Sequence, residues 1–171
     1  MVDDGTSMVA TEGEAIDFAL AVFREEGIWQ VQEVTAQSLE SASSLADSLR
    51  RLPGDHGALG LVAMDEDFFI IVRVAGPHTR MLISDVTAGD EFEFARSVLE
   101  FLGVPQVEDD DQVPAGDLDI LGDLGMQAMD MALLIDNFDL YPDEMLADIA
   151  RRLGFGPQFE DAVGTASPPG P

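Results

Sequence analysis

The 171-residue sequence contains no cysteine, no lysine and only two histidines. Without cysteine there can be no disulfide, no thiol catalysis and no cysteine-ligated zinc. His56 and His78 lie too far apart in sequence to suggest a histidine metal site, and each falls in a predicted surface turn. The sequence also lacks a G-x-S-x-G nucleophile elbow and a lysine-containing phosphate loop. We therefore predict no cofactor and no recognisable catalytic constellation.

Long apolar runs are also missing. A membrane-spanning helix needs about 18 or more consecutive apolar residues, and no stretch of the chain approaches this. The N-terminal sequence MVDDGTSMVATEGE is acidic, whereas a secretory signal begins with basic residues followed by apolar ones. We expect a cytoplasmic protein that does not contact the membrane.

Positive charge is scarce. The chain has 34 acidic residues against 8 basic ones, which gives a formal net charge of -26. Nucleic-acid binding depends on basic side chains that neutralise phosphates, so direct contact with RNA or DNA is disfavoured. An acidic surface can instead dock on a basic partner protein. The alternative is that the charge only keeps the protein soluble.

Composition divides the chain into five segments. Residues 1–14 and 164–171 are predicted to be disordered tails, because they are polar or rich in proline and glycine. Residues 15–105 are predicted to form an α+β domain, 106–116 an acidic linker, and 117–163 a small helical segment.

Hydrophobic periodicity in residues 15–105 predicts the order β-β-α-β-β-β-α. DFALAVFREEGIWQVQEV alternates as a hairpin does, and a helix follows with Ser38 as its expected N-cap. ALGLVAM, FFIIVRV and RMLISDV form a meander, in which FFIIV is apolar on both faces and so predicts a central strand. DEFEFARSVLEFLGVP closes the domain as a helix. The predicted architecture is α+β, a five-stranded antiparallel sheet with helices.

The clearest element of the C-terminal segment is the helix in PDEMLADIARRLGFG. Leu146, Ile149 and Leu153 lie on one apolar face. Because Tyr141 is a poor N-cap, Glu144 is expected to reach back to its N–H. Gly154 is expected to end the helix.

The stretch VEDDDQVPAGDLDILGDLG raises the question of a metal site. It does not match a helix-loop-helix calcium loop, because Val113, Pro114 and Leu121 fall where ligands or glycine are required. A flexible joint that leads to acids at a helix N-terminus is the favoured interpretation. A carboxylate-based or magnesium-dependent enzyme using Asp117, Asp119 and Asp123 remains the alternative.

Apolar residues of the C-terminal segment allow two interpretations. Met126, Met129 and Met131 could line an adaptable, methionine-rich binding groove. Because Met126, Met129 and Leu133 share helical spacing, core packing is the favoured interpretation. Phe138, Leu140 and Tyr141 lie between two predicted helices, where they could be core residues or an exposed aromatic anchor for a partner. Self-association through a sheet edge or these helices, giving a homodimer, is a third possibility for the protein.

Several phrases together resemble the actinobacterial tRNA adenosine deaminase-associated protein family. They are DFALAVFREEGIWQV, LPGDHGALGLVAMDEDFFIIVRV, MLISDVTA, FLGVP, AGDLDILGDLG and LYPDEMLADIARRLGFGPQFE, and they run over most of residues 15–163. The resemblance implies a gene beside that of a tRNA adenosine deaminase and carries no established site residues. The chain is not the deaminase itself, because that zinc chemistry needs H-x-E and P-C-x-x-C ligands.

The combined expectation is a non-enzymatic acidic interaction protein, a companion of tRNA adenosine deaminase or of another basic protein. Acidic and aromatic side chains of the C-terminal segment are its predicted partner-binding residues. They are Asp117, Asp119, Asp123, Phe138, Tyr141, Asp143 and Glu144.

Overall fold

A computed structural model of the chain describes residues 16–54, 57–90, 92–104, 113–137 and 139–166. The predicted tail 1–14, most of the predicted linker 106–116, and Phe138 lie outside these ranges. Within the described part of the chain, no helix is long and apolar enough to cross a membrane.

The centre of the fold is one antiparallel sheet whose strands are arranged in the order β2-β1-β3-β4-β5-β6. The strands are β1 (Ile16–Glu25), β2 (Ile28–Glu33), β3 (Ala58–Met64), β4 (Phe68–Ala75), β5 (His78–Ile83) and β6 (Ala115–Gly116). The predicted hairpin, meander and central FFIIV strand are confirmed, since β4 lies between β3 and β5 and is buried over most of its length.

The predicted strand count of five is wrong, because the sheet has six strands. The additional strand β6 pairs with Leu82 and Ile83 of β5. Two residues are too short to produce a periodic pattern, so this strand leaves no signal in the sequence. It also depends on Gly116, whose φ of +108° is accessible to few other residues.

Helices cover both faces of the sheet, which gives three layers. The helices are α1 (Ala42–Arg50), α2 (Glu93–Leu102), α3 (Ala128–Ile135), α4 (Pro142–Leu153) and α5 (Gly156–Ala166). Helices α1 and α2 pack with one apolar cluster of sheet residues, and α3, α4 and α5 pack with the other. Strand β1 contributes side chains to both clusters, since Leu20 faces α3 to α5 and Ala21 faces α1 and α2.

Helix ends follow the expected local chemistry with one exception. Glu144 accepts a hydrogen bond from the Tyr141 N–H at 2.8 Å, and Gly154 ends α4 in the left-handed conformation, both as predicted. The N-cap of α1 is Ser41, which accepts from the Ser44 N–H at 3.1 Å. The prediction of Ser38 is wrong, because residues Ala36–Leu39 form a separate 3₁₀ turn.

Candidate functional site

Two arginines lie opposite each other on the sheet face that the C-terminal helices cover. Arg73 of β4 and Arg80 of β5 are direct cross-strand partners. Directly opposed residues of an antiparallel pair project from the same face of the sheet, and like charges at such positions repel each other. The pair therefore requires negative charge nearby, and residues 117–123 supply it.

Arg73 is almost completely buried, with 4% of its surface exposed. It donates to both carboxylate oxygens of Asp123, at 2.5 and 2.8 Å, and to the Ile120 carbonyl at 2.8 Å. A buried guanidinium is tolerated only when it is paired and hydrogen-bonded in this way. The hydrogen bond from Arg73 lowers the pKa of Asp123 from 3.8 to about 2, so this carboxylate is ionised across the physiological range.

Arg80 holds the beginning of the same segment. Its Nε donates to Asp117 Oδ2 at 2.6 Å, and its Nη2 donates to the Asp119 carbonyl at 2.9 Å. The other oxygen of Asp117 accepts from the Asp119 N–H at 2.9 Å, which closes a tight turn. Asp117 thus connects the turn to the sheet, whereas the side chain of Asp119 is exposed.

The sequence predicted that a flexible joint leads to these acids and that the acids lie at a helix N-terminus. Instead, Asp117 and Asp123 are ion-paired with the sheet, and α3 begins only at Ala128. Sequence reasoning missed both arginines as partners. One signal was available, because a charged residue inside the otherwise apolar strand FFIIVRV must find a counter-charge.

An open groove of about 480 Å³ lies beside this turn. It is lined by Arg73, Ala75, His78, Thr79, Arg80, Asp119 and Asp123. Because Arg73 and Arg80 are paired with Asp123 and Asp117, the groove offers little free positive charge to an anionic ligand. Across the described ranges, no group of three or more acidic or histidine side chains is placed to hold a metal ion.

Helix α3 follows the turn and presents an apolar outer surface. Met131, Leu134 and Ile135 are buried against the sheet side. Met129 and Leu133, one turn apart, are 74% and 65% exposed. The prediction that these two side chains belong to the core is wrong. The helix is apolar around most of its circumference, so the periodicity could not determine which face is buried.

A second acidic group lies where α4 begins. Asp143 and Glu144 occupy the first turn of α4, and Tyr141 before them is exposed. Asp143 also adds to the negative field at Asp17. Burial is the main cause that raises the pKa of Asp17, whose carboxylate accepts from the Glu66 N–H at 2.8 Å.

The predicted partner-binding residues thus form two groups separated along the chain by α3. Asp117, Asp119 and Asp123 lie in one turn, and Tyr141, Asp143 and Glu144 lie at the start of α4. Phe138 is outside the described residues. No lysine, arginine or histidine occurs in the sequence between Arg96 and Arg151, so this whole region is strongly negative.

The matches to known proteins extend over most of the chain. A family model described as Rv3753c-like tRNA adenosine deaminase-associated protein matches residues 17–156. The chain is 37% identical over 150 residues to Protein Rv3753c of Mycobacterium tuberculosis, which covers 85% of this chain and 87% of that protein. No solved structure matches the chain significantly. The chain therefore belongs to the Rv3753c-like tRNA adenosine deaminase-associated protein family.

Proposed function

We propose that the chain is a non-enzymatic, cytoplasmic companion of a tRNA adenosine deaminase, which it contacts through the acidic surface around α3. The family description supports an association with this enzyme. The single observation that carries the contact surface is the strongly negative region between Arg96 and Arg151, in which Asp119, Asp143 and Glu144 are exposed.

Ion pairs within the fold bind nearby arginines, so the free exposed charge of this surface is mostly negative. Arg73 and Arg80 are bound to Asp123 and Asp117. The exposed Arg151 and Arg152 share the single carboxylate of Asp148, which leaves positive charge at the end of α4 opposite Asp143 and Glu144. Arginines that are neutralised inside the fold contribute little attraction to an acidic ligand, and exposed carboxylates remain to attract a basic one.

A tRNA-handling enzyme needs basic surface to bind phosphates. An acidic companion complements such a surface and would compete with tRNA wherever the two footprints overlap. Exposed charges interact over a screening length of about 8 Å at physiological ionic strength. The proposed complex is therefore sensitive to salt.

The test is size-exclusion chromatography with light scattering on a mixture of the chain and the tRNA adenosine deaminase of its organism. We expect a co-eluting complex at low salt that dissociates at high salt. Separate elution at both salt concentrations would contradict the proposed contact. Once a complex is observed, titration with tRNA tests whether the two ligands compete.

A matched pair of variants tests whether the acidic charges near α3 and α4 mediate binding to the deaminase. Asp119→Asn/Asp143→Asn/Glu144→Gln removes three acidic charges from the proposed surface, and glutamine at position 144 can still cap the Tyr141 N–H. Glu25→Gln/Glu40→Gln/Glu93→Gln removes three exposed charges outside the region between Arg96 and Arg151. Only the first variant should weaken binding markedly at low salt. An equal effect of both would show that net charge alone governs the interaction.

A further inference from the structure

The outer face of α3 is apolar where a surface helix normally carries polar side chains. Met129 and Leu133 are among the most exposed large apolar side chains in the described ranges. They are four residues apart, so their side chains lie next to each other along the helix. Scattered surface apolar residues need no explanation, but two adjacent ones on a helix form a continuous patch.

Acidic residues lie beside this patch on α3 and in the segments before and after the helix. Asp136 follows Leu133 by three residues and Met129 by seven, which places it on the same face of the helix. The α3 N-terminus lies beside the arginine-held turn, since Gln127 donates to the Gly122 carbonyl at 3.3 Å. At the other end, the chain continues to the acidic start of α4. The arrangement is an apolar centre with a negatively charged rim.

We infer that the outer face of α3, centred on Met129 and Leu133, is the apolar anchor site for a basic partner protein. The complementary surface presents an apolar side chain flanked by lysine or arginine. This inference rests on the proposed function, because it takes the tRNA adenosine deaminase as that basic partner. Met129 suits the site since its flexible thioether side chain adapts to the shape of an inserted group.

The charge of the chain distinguishes two candidate occupants of the outer face of α3, a basic partner protein and a second copy of the chain. Two copies meeting at α3 would bring together their acidic rims, and each copy carries a net charge of -26. Like charges opposed across an interface disfavour the pairing. A basic protein instead gains from both the apolar contact and the rim, so it is the favoured occupant.

The test uses the full-length variant Met129→Gln/Leu133→Gln, because glutamine keeps the helix propensity of the replaced residues. Both side chains are exposed, so thermal unfolding should be unchanged. Ile28→Gln/Phe101→Gln is the matched control, since it replaces two exposed apolar residues outside α3. Binding of each variant to the tRNA adenosine deaminase is measured by isothermal titration calorimetry at low and at moderate salt.

We expect the α3 variant to bind at least about tenfold more weakly than the wild type, as truncation of a central anchor typically does, and the control to bind normally. The weakening factor should be similar at both salt concentrations, because apolar contacts are not screened. The effect of the three-charge variant should shrink as salt rises.

Each other outcome overturns a defined part of the reasoning. Normal binding by the α3 variant refutes the anchor site and leaves the proposed function intact. Failure of the wild type to bind the deaminase refutes both. Light scattering on the isolated chain tests for self-association. If the wild type is a dimer and Met129→Gln/Leu133→Gln is a monomer, this face binds a second copy of the chain, and the basic partner is refuted.

Discussion

Replacing Asp123 with asparagine tests whether the Arg73 ion pair fixes the acidic turn to the sheet. The substitution keeps the size of the side chain but removes the charge that compensates Arg73, whose side chain is 5% exposed. A buried charge that loses its partner retains its desolvation cost. We expect Asp123→Asn to lower the free energy of unfolding at neutral pH.

The structure allows the magnitude to be bounded. A fall in the Asp123 pKa from 3.8 to about 2 corresponds to roughly 2 kcal/mol of native-state stabilisation. The Asp123 side chain is 57% exposed, so solvent screening reduces its own share to about 1 kcal/mol. The penalty for the buried Arg73 when it loses this ion pair can reach about 3 kcal/mol. The expected loss is therefore about 1 to 3 kcal/mol, or a fall in Tm of about 2 to 12 °C for a chain of this length.

The effect should depend on pH with a defined sign. Because the folded-state pKa of Asp123 lies below its unfolded value of 3.8, the ion pair contributes fully above about pH 4. The contribution is lost as pH falls through about 2. The difference between wild type and Asp123→Asn should thus disappear over this window, as measured by urea unfolding followed by circular dichroism.

Two comparisons complete the experiment. Asp47→Asn breaks an exposed pair with Arg50 and should cost under about 1 kcal/mol. In Arg73→Met/Asp123→Asn, both partners are removed, and the double variant should lose less stability than the two single losses combined. Full stability of Asp123→Asn at neutral pH, or a loss that persists unchanged at about pH 2, would refute the reasoning.

Two further changes probe backbone and burial. Gly116→Ala should cost more than about 1 kcal/mol and increase hydrogen exchange over residues 113–125, because the new Cβ would approach the Met81 carbonyl oxygen to 2.3 Å at a φ of +108°. Gly76→Ala, at a φ of +61° with open space around the Cβ, should cost less, and equal losses would contradict the steric argument. Asp17→Asn should leave the protein at least as stable as wild type near pH 7, because burial raises the pKa of Asp17 and asparagine can still accept from the Glu66 N–H. A raised folded-state pKa costs stability only at a pH above the unfolded-state pKa. The stability advantage of Asp17→Asn should therefore vanish in urea unfolding at about pH 3. Destabilisation by Asp17→Asn at pH 7 would show that ionised Asp17 is favourable.

The sequence predicted most of the fold because its strongest signals are local and periodic. The β1–β2 hairpin, the β3–β4–β5 meander and helix α4 follow from alternation, helical spacing and caps such as Gly154. Strand β6 could not be predicted, since its two residues owe their conformation to pairing with β5. The strand forms only because the folded chain brings these two residues beside β5.

The site was harder to predict because it depends on which residues meet across the chain. The sequence predicts Asp117 and Asp123 as partner-binding residues, but it does not show that Arg80 and Arg73, far away in sequence, become their neighbours in the folded sheet. Met129 and Leu133 were assigned to the core because helical spacing identifies a stripe and not the side that is covered. The partner-binding role of the acidic residues stays a prediction.

The buried Arg73 has a consequence for how the strands align. Strands β3 and β4 are apolar on both faces, so alternation alone would permit β4 to slide by one residue without exposing hydrophobic surface. Such a slip would move Arg73 to the face covered by α1 and α2, away from Asp123, and would break this ion pair. Where the hydrophobic pattern is neutral, this arginine thus favours the native register, together with the turns at Asp65–Glu66 and Gly76 that join β4 to its neighbours.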